Sequence, residues 1–393
     1  MSFQASETHT FLMPDYYPQF SCKMRDCRSA CCVGWPISIS MQNYFQLLGM
    51  DCPMHLREKI DCGLQIYEHP SQERYACFAP DHNGDCPLRM KDGRCSLHAE
   101  MGENMLPDIC RLYPRGIRIE NGICECSCAN SCEAVLELLF ARKEPIAFIR
   151  KQMTVQIPSS AKRTTYFETL GFEQEIRLRF ISVLQDRRTS LPNRILTLGS
   201  VLDKVDLLIE ARNAKGLEAI LHEPISFQTS SAKISAVHLK FGLHIAEAML
   251  EMLDDRSKSI RQYGTAALDY FRSGSDELLQ YQTSRMYFED LFPNWEIFFE
   301  HWLVNHVFFS QFPFQDRTVS THNEYAAVCA LYALLRLLSL GWMANRSSAN
   351  HLIDAMVAAF RLVDHTSFDH YAAHMLLQLD CINSEQLYDL IRL

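Results

Sequence analysis

The stretch Phe20–Ile39 reads FSCKMRDCRSACCVGWPISI, and it decides how the N-terminal part of the chain must fold. Its cysteines are separated by gaps of four, three and zero residues: Cys22, Cys27, Cys31 and Cys32. Thiols at this density, in a segment with few periodic apolar residues, are explained by disulfide bonds or by metal. The stretch therefore predicts a loop-rich structure organised around cysteine side chains.

The cysteines of the chain are concentrated in its first third. Of 16 cysteines, fourteen lie in the span from Cys22 to Cys132, whereas Cys329 and Cys381 lie on apolar stretches and are expected core residues. The first twenty residues have neither the basic nor the apolar region of a secretory signal, which predicts a cytoplasmic chain. Cytoplasmic thiols stay reduced, and this favours metal over disulfides.

Two further cysteine blocks follow the first. One contains Cys86-Pro-Leu, Cys95 and Cys110-Arg-Leu-Tyr-Pro-Arg, and the other reads Cys124-x-Cys126-x-Cys128-x3-Cys132. Thiolates bind zinc, copper(I) or iron–sulfur clusters. The paired C-x2-C spacing of most zinc fingers is absent, and the long irregular gaps favour a cluster held by several loops. Zinc remains the alternative at this point.

The composition changes near residue 135. Residues 1–135 are rich in Cys, Gly, Pro and Asp, and predict loops with one short helix, Met41–Leu48. Residues 136–393 carry apolar residues at three- and four-residue spacing, which is typical of helices. We therefore predict a mainly α fold, in which a loop-rich cysteine-cluster domain, residues 1–135, packs on an all-helical domain, residues 136–393.

The predicted helices of the second part cover most of its length, and no alternating run predicts a large sheet. They are Glu133–Arg142, Phe172–Arg188, Leu191–Arg212, Ser231–Asp254, Ser259–Ser273, Trp295–Phe309, Asn323–Met343, Ala349–Val363 and Phe368–Leu379.

Composition and motifs exclude several classes of function. The net charge is −9, with 38 basic residues among 47 acidic ones, so no basic face for nucleic acid is expected. The P-loop, the GxGxxG fingerprint, HExxH and GxSxG are absent. So is the C-x3-C-x2-C spacing of radical S-adenosylmethionine enzymes. The most apolar stretch, Ala326–Ala344, has Arg336 near its middle, which predicts a buried core helix rather than a membrane span.

Several segments together resemble the flagellin lysine-N-methylase family. Phe20–Ile39 is similar to the family's opening motif, which has two cysteines, a Cys-Cys pair and Gly-Trp-x-Ile. Cys86–Arg115 and Glu125–Leu139 resemble its second and third cysteine blocks, which are shared with a wider group of zinc- or iron-chelating proteins. In the helical part, the resembling segments are EHWLVNHVFFSQFPF from Glu300, NEYAAVCALYALLRLL from Asn323 and RLVDH ending at His365.

The resemblance implies a function, a cofactor and partners. It implies methyl transfer from S-adenosylmethionine to lysine side chains of flagellin, with a bound [4Fe–4S] cluster. The charge balance and the apolar stretch with Arg336 predict neither nucleic acid nor membrane as partner. Eight cysteines match the family blocks and are the candidate metal ligands: Cys22, Cys27, Cys31, Cys32, Cys86, Cys95, Cys110 and Cys132. Four ligands suffice for one such cluster, so either some are spare or a second metal is bound.

Four side chains near these blocks are candidates for catalysis and for binding the methyl donor. Tyr113 is the candidate catalytic residue, because lysine must lose a proton before it attacks; its alternative role is to brace the Cys110 loop. Arg111 and Arg115 could hold the donor's carboxylate or hydrogen-bond near the cluster. Trp35 could stack on adenine or cover the cluster.

Two functions without methyl transfer remain as alternatives. The chain could be a metal- or iron–sulfur-binding module for electron transfer, or a scaffold stabilised by zinc. Both alternatives are considered because the sequence shows no recognisable motif for binding the methyl donor.

Overall fold

A computed structural model describes residues 6–120, 123–156, 169–229, 233–253, 258–314 and 319–393. The chain forms two compact units. Unit 1 comprises Met1–Val135 and Ala147–Thr164, and unit 2 comprises Leu136–Ile146 and Thr165–Leu393. The chain first crosses from unit 1 to unit 2 after Val135, where the composition changes, and the segment from Ala147 then returns to unit 1.

Unit 1 combines two small sheets with short helices. Its strands are β1 (Ser6–Pro14), β2 (Ile37–Ile39), β3 (Leu64–Ile66), β4 (Ala76–Phe78), β5 (Arg115–Glu120), β6 (Ile123–Cys128) and β7 (Phe148–Gln156). Its helices are α1 (Met41–Leu48), α2 (Met54–Gly63), α3 (Ser96–Met101), α4 (Asp108–Leu112) and α5 (Glu133–Ala141), the last of which continues into unit 2. The strand orders are β5-β6-β1-β7 and β2-β4-β3, and within them only β1 and β6 run parallel.

The core of unit 1 lies between the three-stranded sheet, β2-β4-β3, and the helices α1 to α3. Ile39, Leu56, Phe78 and Leu97 are almost fully buried there, and Cys86 belongs to the same cluster. Because the core is small and the loops around it are long, this unit gains little stability from apolar burial alone. Side chains that connect its loops therefore matter more than in unit 2.

Strand β7 lies within the range for which the sequence predicts helices only. It pairs antiparallel with β1 over their whole lengths, from Ser6 opposite Gln156 to Pro14 opposite Phe148. It is an edge strand of the sheet, and its residues 148–155 are all half-buried or exposed. An edge strand of this kind carries no apolar alternation, so its partner, more than 130 residues away, is not readable from the sequence.

Unit 2 is built from helices throughout its described residues, as predicted. They are α6 (Glu173–Leu184), α7 (Leu191–Glu210), α8 (Ala214–His222), α9 (Ala236–Leu253), α10 (Lys258–Arg272), α11 (Glu277–Leu291), α12 (Trp295–Ser310), α13 (Thr321–Met343), α14 (Ala349–Val363), α15 (Phe368–Gln378) and α16 (Ser384–Ile391). Each predicted helix is present with ends shifted by a few residues, although Ser231 and Asp254 lie outside the described residues. The mainly α fold is thereby confirmed.

Helix α13 is the centre of unit 2. By length and composition it could cross a membrane, but 94% of its most apolar window is buried inside the protein. Its arginine, Arg336, is buried with its guanidinium 3.7 Å from the ring centre of Trp295 and 3.2 Å from the carboxylate of Glu289. These contacts explain how a cation is accommodated in a core helix, as predicted for this stretch.

Candidate metal centre

Four of the eight candidate cysteines come from separate segments of unit 1 and have neighbouring thiols. We call Cys32, Cys86, Cys95 and Cys110 the first cysteine set. The backbone N–H of Cys86 donates to the carbonyl oxygen of Cys32 at 2.8 Å, and Cys95 forms an antiparallel bridge with Arg89. Cys32 and Cys95 pack against the core to which Cys86 belongs. Cys110 lies on α4, and the other three thiols are near enough to raise the pKa of its thiol.

Backbone N–H groups point at two thiols of this set. The Cys95 thiol accepts hydrogen bonds from the N–H groups of Leu97 and His98, and the Cys86 thiol accepts one from Leu88. Cys95 immediately precedes α3, so the first-turn N–H groups that bond its sulfur have no partner inside the helix. Such bonds stabilise a thiolate and tune the sulfur ligands of iron–sulfur clusters.

The thiols of the first set oppose one another's ionisation. Burial raises the pKa of Cys86 to about 12, and the Cys32 and Cys95 thiols contribute to the rise. Although Cys110 reaches the surface, crowding by protein atoms raises the pKa of its thiol, and the three other thiols raise it further. The pKa of Cys32 falls to about 7, first because the Cys31 thiol donates a hydrogen bond to it. Four thiolates could therefore coexist here only around positive charge.

A second group of thiols surrounds the start of α5. We call Cys22, Cys27 and Cys132 the second cysteine set. The backbone N–H of Met24 donates to the Cys22 sulfur at 3.3 Å. The thiol of Cys132, the residue before α5, accepts hydrogen bonds from first-turn N–H groups of that helix. Burial raises the pKa of Cys27 to about 12, and the charges of Glu133, Cys132 and Cys22 raise it further.

Glu133 ties the loop of the second set to α5. Its side chain is fully buried, and its carboxylate lies 2.7 Å from the Lys23 ammonium and 3.3 Å from the Arg28 guanidinium. It also accepts the backbone N–H of Ser29 at 2.6 Å. The segment that carries Cys22 and Cys27 is thereby held next to Cys132.

Cys31 lies between the two sets. Its hydrogen bond to Cys32, followed by burial, raises the pKa of its thiol, and the Cys110 and Cys22 thiols raise it further. Its neighbours therefore include members of both sets, whereas Cys32 neighbours Cys31 and the other three thiols of the first set. All eight cysteines that the sequence proposes as ligands are accounted for by the two sets and Cys31.

The donor types fit a thiolate-bound metal centre, and the spacing bears on its size. Among the residues that the structure describes, no three Cys, His, Asp or Glu side chains are already grouped closely enough to hold one metal ion. One zinc ion draws sulfurs to about 2.3 Å from itself. An iron–sulfur cluster inserts iron and sulfide between its thiolates and so holds them further apart. Zinc ions and iron–sulfur clusters are both bound by thiolates, so the donor types of the two sets fit either kind of centre.

The remaining cysteines have other surroundings. Cys126 and Cys128 are buried on β6, where Cys126 bonds the Tyr17 hydroxyl and Cys128 lies near Arg115. Cys329 and Cys381 are buried in unit 2, which confirms their interpretation as core residues.

Two of the proposed site residues meet beside Cys31. The Trp35 and Tyr113 rings pack edge to face with centres 6.2 Å apart. The Trp35 indole N–H donates to the carbonyl oxygen of Cys31 at 2.6 Å, and the Tyr113 hydroxyl lies 3.0 Å from Ser131 Oγ. Both rings are half-buried, so this pair forms part of the surface next to the cysteine sets.

The two proposed arginines have partners within unit 1. Arg111 forms an ion pair with Asp108 at 2.7 Å, and both side chains are about one-quarter exposed. Arg115 donates to the carbonyl oxygen of Phe20 at 2.9 Å, and its guanidinium lies 5.0 Å from the centre of that ring. The structure thus brings Trp35 and Tyr113 together and gives each arginine a separate local contact.

Unit 2 contains buried polar groups that the sequence analysis did not single out. Glu300 accepts hydrogen bonds from Arg187 at 2.8 and 2.9 Å and from Arg194 at 2.5 Å. His306 Nδ1 lies 3.1 Å from the carboxylate of Asp364. Charged residues on a helix usually indicate its solvent-facing side. The sequence pattern therefore gave no sign that these residues are buried. The available signal was that Glu300, His306 and Asp364 fall within the segments that resemble the family.

Comparison with known proteins gives one match. Residues 177–388, more than half of the chain, match the FliB lysine N-methylase C-terminal domain. No curated protein and no solved structure matches the chain. The matched range contains Glu300, His306 and Asp364, whereas both cysteine sets lie before it. The chain therefore belongs to the FliB family of flagellin lysine N-methylases.

Proposed function

We propose that this chain acts in the cytoplasm and methylates lysine side chains of flagellin, with S-adenosylmethionine as the methyl donor. The observation that carries the proposal is the match of residues 177–388 to the lysine N-methylase domain. The resemblance of the cysteine blocks to the same family supports it from the other end of the chain.

The substrate lysine has to lose a proton before it can attack a methyl group. Its ordinary pKa of about 10.4 leaves it mostly protonated near neutral pH. We assign this proton to the phenolate oxygen of Tyr113, which must first release its own proton to solvent; since the ordinary pKa of tyrosine, about 10, is close to that of lysine, transfer from the ammonium to the phenolate is nearly balanced in free energy. The Ser131 hydroxyl, 3.0 Å away, can donate a hydrogen bond to this oxygen when it is ionised. The Trp35 ring packs edge to face with the Tyr113 ring.

The donor's carboxylate needs a cation at its binding site. Arg111 is our first candidate, since its guanidinium is about one-quarter exposed and a guanidinium can hold a carboxylate through two N–H groups. Arg115 packs against the Phe20 and Tyr17 rings, which suits a role in supporting the wall of the site. Trp35 is the candidate surface for the adenine ring.

The first cysteine set is our candidate for the ligands of a [4Fe–4S] cluster. It has four thiols, and the N–H groups directed at Cys86 and Cys95 favour their ionised forms. When bound through four thiolates, such a cluster has no open iron position and would cross-link the segments of this loop-rich unit.

The test is co-expression of flagellin with and without the chain, followed by intact-mass measurement of the flagellin. We expect mass increments of about 14 Da per methyl group, only in the presence of the chain. Peptide mapping should assign them to lysines. Unmodified flagellin beside metal-loaded, folded protein would overturn the proposal and favour a metal-binding module without methyl transfer.

A further inference from the structure

The outer edge of β7, the side of this strand that faces away from β1, is a surface that the methylase proposal does not use. Strand β7 is nine residues long, and within the described part of the chain β1 is the only strand beside it. The register between the two strands is unbroken from Ser6 opposite Gln156 to Pro14 opposite Phe148. A long edge strand without proline, glycine or a bulge offers its backbone groups to a strand of another chain.

The hydrogen-bond pattern shows which backbone groups of β7 point outward. The N–H of Asp15 donates to the carbonyl oxygen of Ala147 at 2.8 Å, one position beyond the paired strands. Because hydrogen-bonded and non-hydrogen-bonded pairs alternate along an antiparallel ladder, the even-numbered residues of β7 form non-hydrogen-bonded pairs with β1. The Thr8 and Thr154 hydroxyls, 2.8 Å apart, agree with this, since side chains lie closer together in such pairs. The residues whose N–H and C=O groups point away from β1 are therefore Phe148, Arg150, Gln152, Thr154 and Gln156.

We propose that two copies of this chain pair through the outer edges of their β7 strands, antiparallel about a twofold axis at Gln152. The pairing would join the two four-stranded sheets into one continuous sheet of eight strands. It places even-numbered residues opposite even-numbered residues, so that the outward backbone groups of one copy meet those of the other. All nine residues of both strands overlap only with the axis at this position. The inference does not depend on methyl transfer, because it concerns an edge of unit 1 alone.

The charges of β7 favour this register over neighbouring ones. Arg150 would lie opposite Thr154 of the second copy, and Lys151 opposite Met153, so that no two cations face each other directly. A shift of the axis by one or two residues towards the start of the strand would place Lys151 or Arg150 opposite itself. Like charges directly opposite each other are destabilising. A shift towards the end of the strand would leave its first residues without a partner in β7.

The same register brings apolar side chains together. Ile149, Met153 and Val155 share one face of β7 and are half-buried. On the same face of β1, Phe11 and Met13 are completely buried. Ile149 would lie opposite Val155 of the second copy, twice by symmetry. These two cross-strand pairs would extend the apolar face of the sheet across the dimer.

The experiment is the mass of the full-length chain in solution, measured by sedimentation equilibrium over a series of concentrations. We expect twice the 45.3 kDa of one chain. Gln152→Pro removes the two N–H donors at the centre of the interface and no N–H that bonds β1, a position at which edge strands tolerate proline. The dissociation constant of the dimer should rise by roughly 5- to 150-fold. Gln152→Thr keeps this N–H and suits a strand, so it is the matched control and should remain a dimer.

Two substitutions at Thr154 test the register itself. Thr154→Glu would place a carboxylate opposite Arg150 of the second copy and should lower the dissociation constant. Thr154→Lys would place a second cation there and should raise it, by about 2- to 30-fold in either case. Both variants lose the same hydrogen bond with Thr8, so the difference between them measures the cross-strand pair.

A wild-type chain that remains at 45.3 kDa at its highest soluble concentration would overturn the inference. So would a dimer that Gln152→Pro leaves unchanged, or equal dissociation constants for the two Thr154 variants. Should Gln152→Pro fail to fold, hydrogen exchange in the wild-type chain decides. The N–H groups of Gln152 and Thr154 should exchange more slowly as the dimer forms, and rates that do not change with concentration would overturn the inference.

Protection of the β7 edge only after addition of flagellin would also overturn it, since the occupant would then be an extended segment of the substrate. Flagellin methylation, measured on the same samples, is a separate readout. A dimer without methylation would contradict the methylase proposal alone, and methylation by a monomer would contradict this inference alone.

Discussion

The Lys23 ammonium lies 2.7 Å from the carboxylate of Glu133, a residue 110 positions further along the chain. The Glu133 side chain is fully buried, whereas that of Lys23 is about one-quarter exposed. The conformation of a long loop that one buried carboxylate connects to a helix depends strongly on that carboxylate. The stability of a helix depends much less on any single ion pair at its surface. Replacement of Glu133 therefore tests whether this carboxylate holds the loop that contains Lys23 in place.

Replacement of Glu133 by Gln should loosen this loop. The amide is nearly isosteric, but it removes the charge that pairs with Lys23 and Arg28. Hydrogen bonds to charged groups contribute about 1.5–3 kcal/mol each, so we expect a loss of roughly 3 kcal/mol in the free energy of unfolding of unit 1. Denaturant unfolding measures the loss, and limited proteolysis should give new cleavage between residues 22 and 31.

The matched control is Glu58→Gln, a carboxylate of the same unit at the exposed surface of α2. We expect it to leave both the unfolding midpoint and the cleavage pattern unchanged. Equal behaviour of the two variants would contradict the role of Glu133 as the tether of this loop.

Glu300 should be far more important to unit 2 than an exposed glutamate with the same type of partner. Its buried carboxylate binds the partly exposed Arg187 and the buried Arg194, so Glu300→Gln removes the charge that both guanidinium groups face, at a cost of about 3–5 kcal/mol. Glu247 also forms a two-point contact with an arginine, Arg272, but both side chains are exposed. Glu247→Gln should cost less than about 1 kcal/mol. Similar shifts in the denaturant midpoint for Glu300→Gln and Glu247→Gln would contradict the greater importance of the buried Glu300 carboxylate.

The helical part of the fold was largely readable from local pattern. Helix α1 runs from Met41 to Leu48, as predicted, with the Ser40 side chain accepting the N–H of Asn43. Helix α11 was missed, because its buried face of Tyr281, Ser284 and Phe288 includes a polar residue and weakens the apolar period. Local signals thus located the long helices and failed where packing overrides composition.

The candidate site was readable only as a set of residue types. Spacing identified eight thiols, but it could not divide them between two groups, because the division depends on where Glu133 holds Lys23 and on the backbone pairing of Cys32 with Cys86. Both contacts join segments more than 50 residues apart. Contacts of that range depend on the tertiary fold, for which one sequence holds no periodic signal.

His306 should make the stability of unit 2 depend on pH. Burial lowers its pKa, but the hydrogen bond with Asp364 and the Asp369 carboxylate 3.9 Å away outweigh burial and raise it to about 10. An unfolded histidine has a pKa of about 6.5, so the stabilisation is fully present below about pH 6.5 and is lost as pH rises to about 10. The melting temperature of the wild-type chain should therefore exceed that of His306→Gln most at low pH.

Thermal melts of the wild-type chain and of His306→Gln between about pH 6.5 and pH 10 measure this difference. Groups that titrate in the same way in both proteins do not contribute to the difference between their melting temperatures. The gap between the two melting temperatures should shrink steadily towards pH 10. A gap that stays constant, or that widens as pH rises, would mean that His306 is not held in its charged form by the two aspartates.

Gly341 allows α13 to approach α10 closely. A Cβ atom at this position would come within 2.5 Å of the carbonyl oxygen of Ala267 and 2.7 Å of its Cα, which are backbone atoms. Gly341→Ala should therefore cost about 1–3 kcal/mol in stability. At Gly264 the nearest atom, 2.5 Å away, is the end of the Leu250 side chain, which can rotate. Gly264→Ala should cost less in the same unfolding assay, because alanine also favours the helix; the reverse order would refute this account.

Tyr113→Phe separates the two roles open to this residue. The phenylalanine keeps the ring that packs on Trp35 and removes only the hydroxyl near Ser131. If the ionised Tyr113 oxygen receives the lysine proton, flagellin methylation should fall by about 10²- to 10⁴-fold, with iron and sulfide content unchanged. Tyr67→Phe, which keeps its contact with Arg74, is the control and should methylate normally. Full methylation by Tyr113→Phe would leave Tyr113 as a packing residue, and the proton would have to leave through another group.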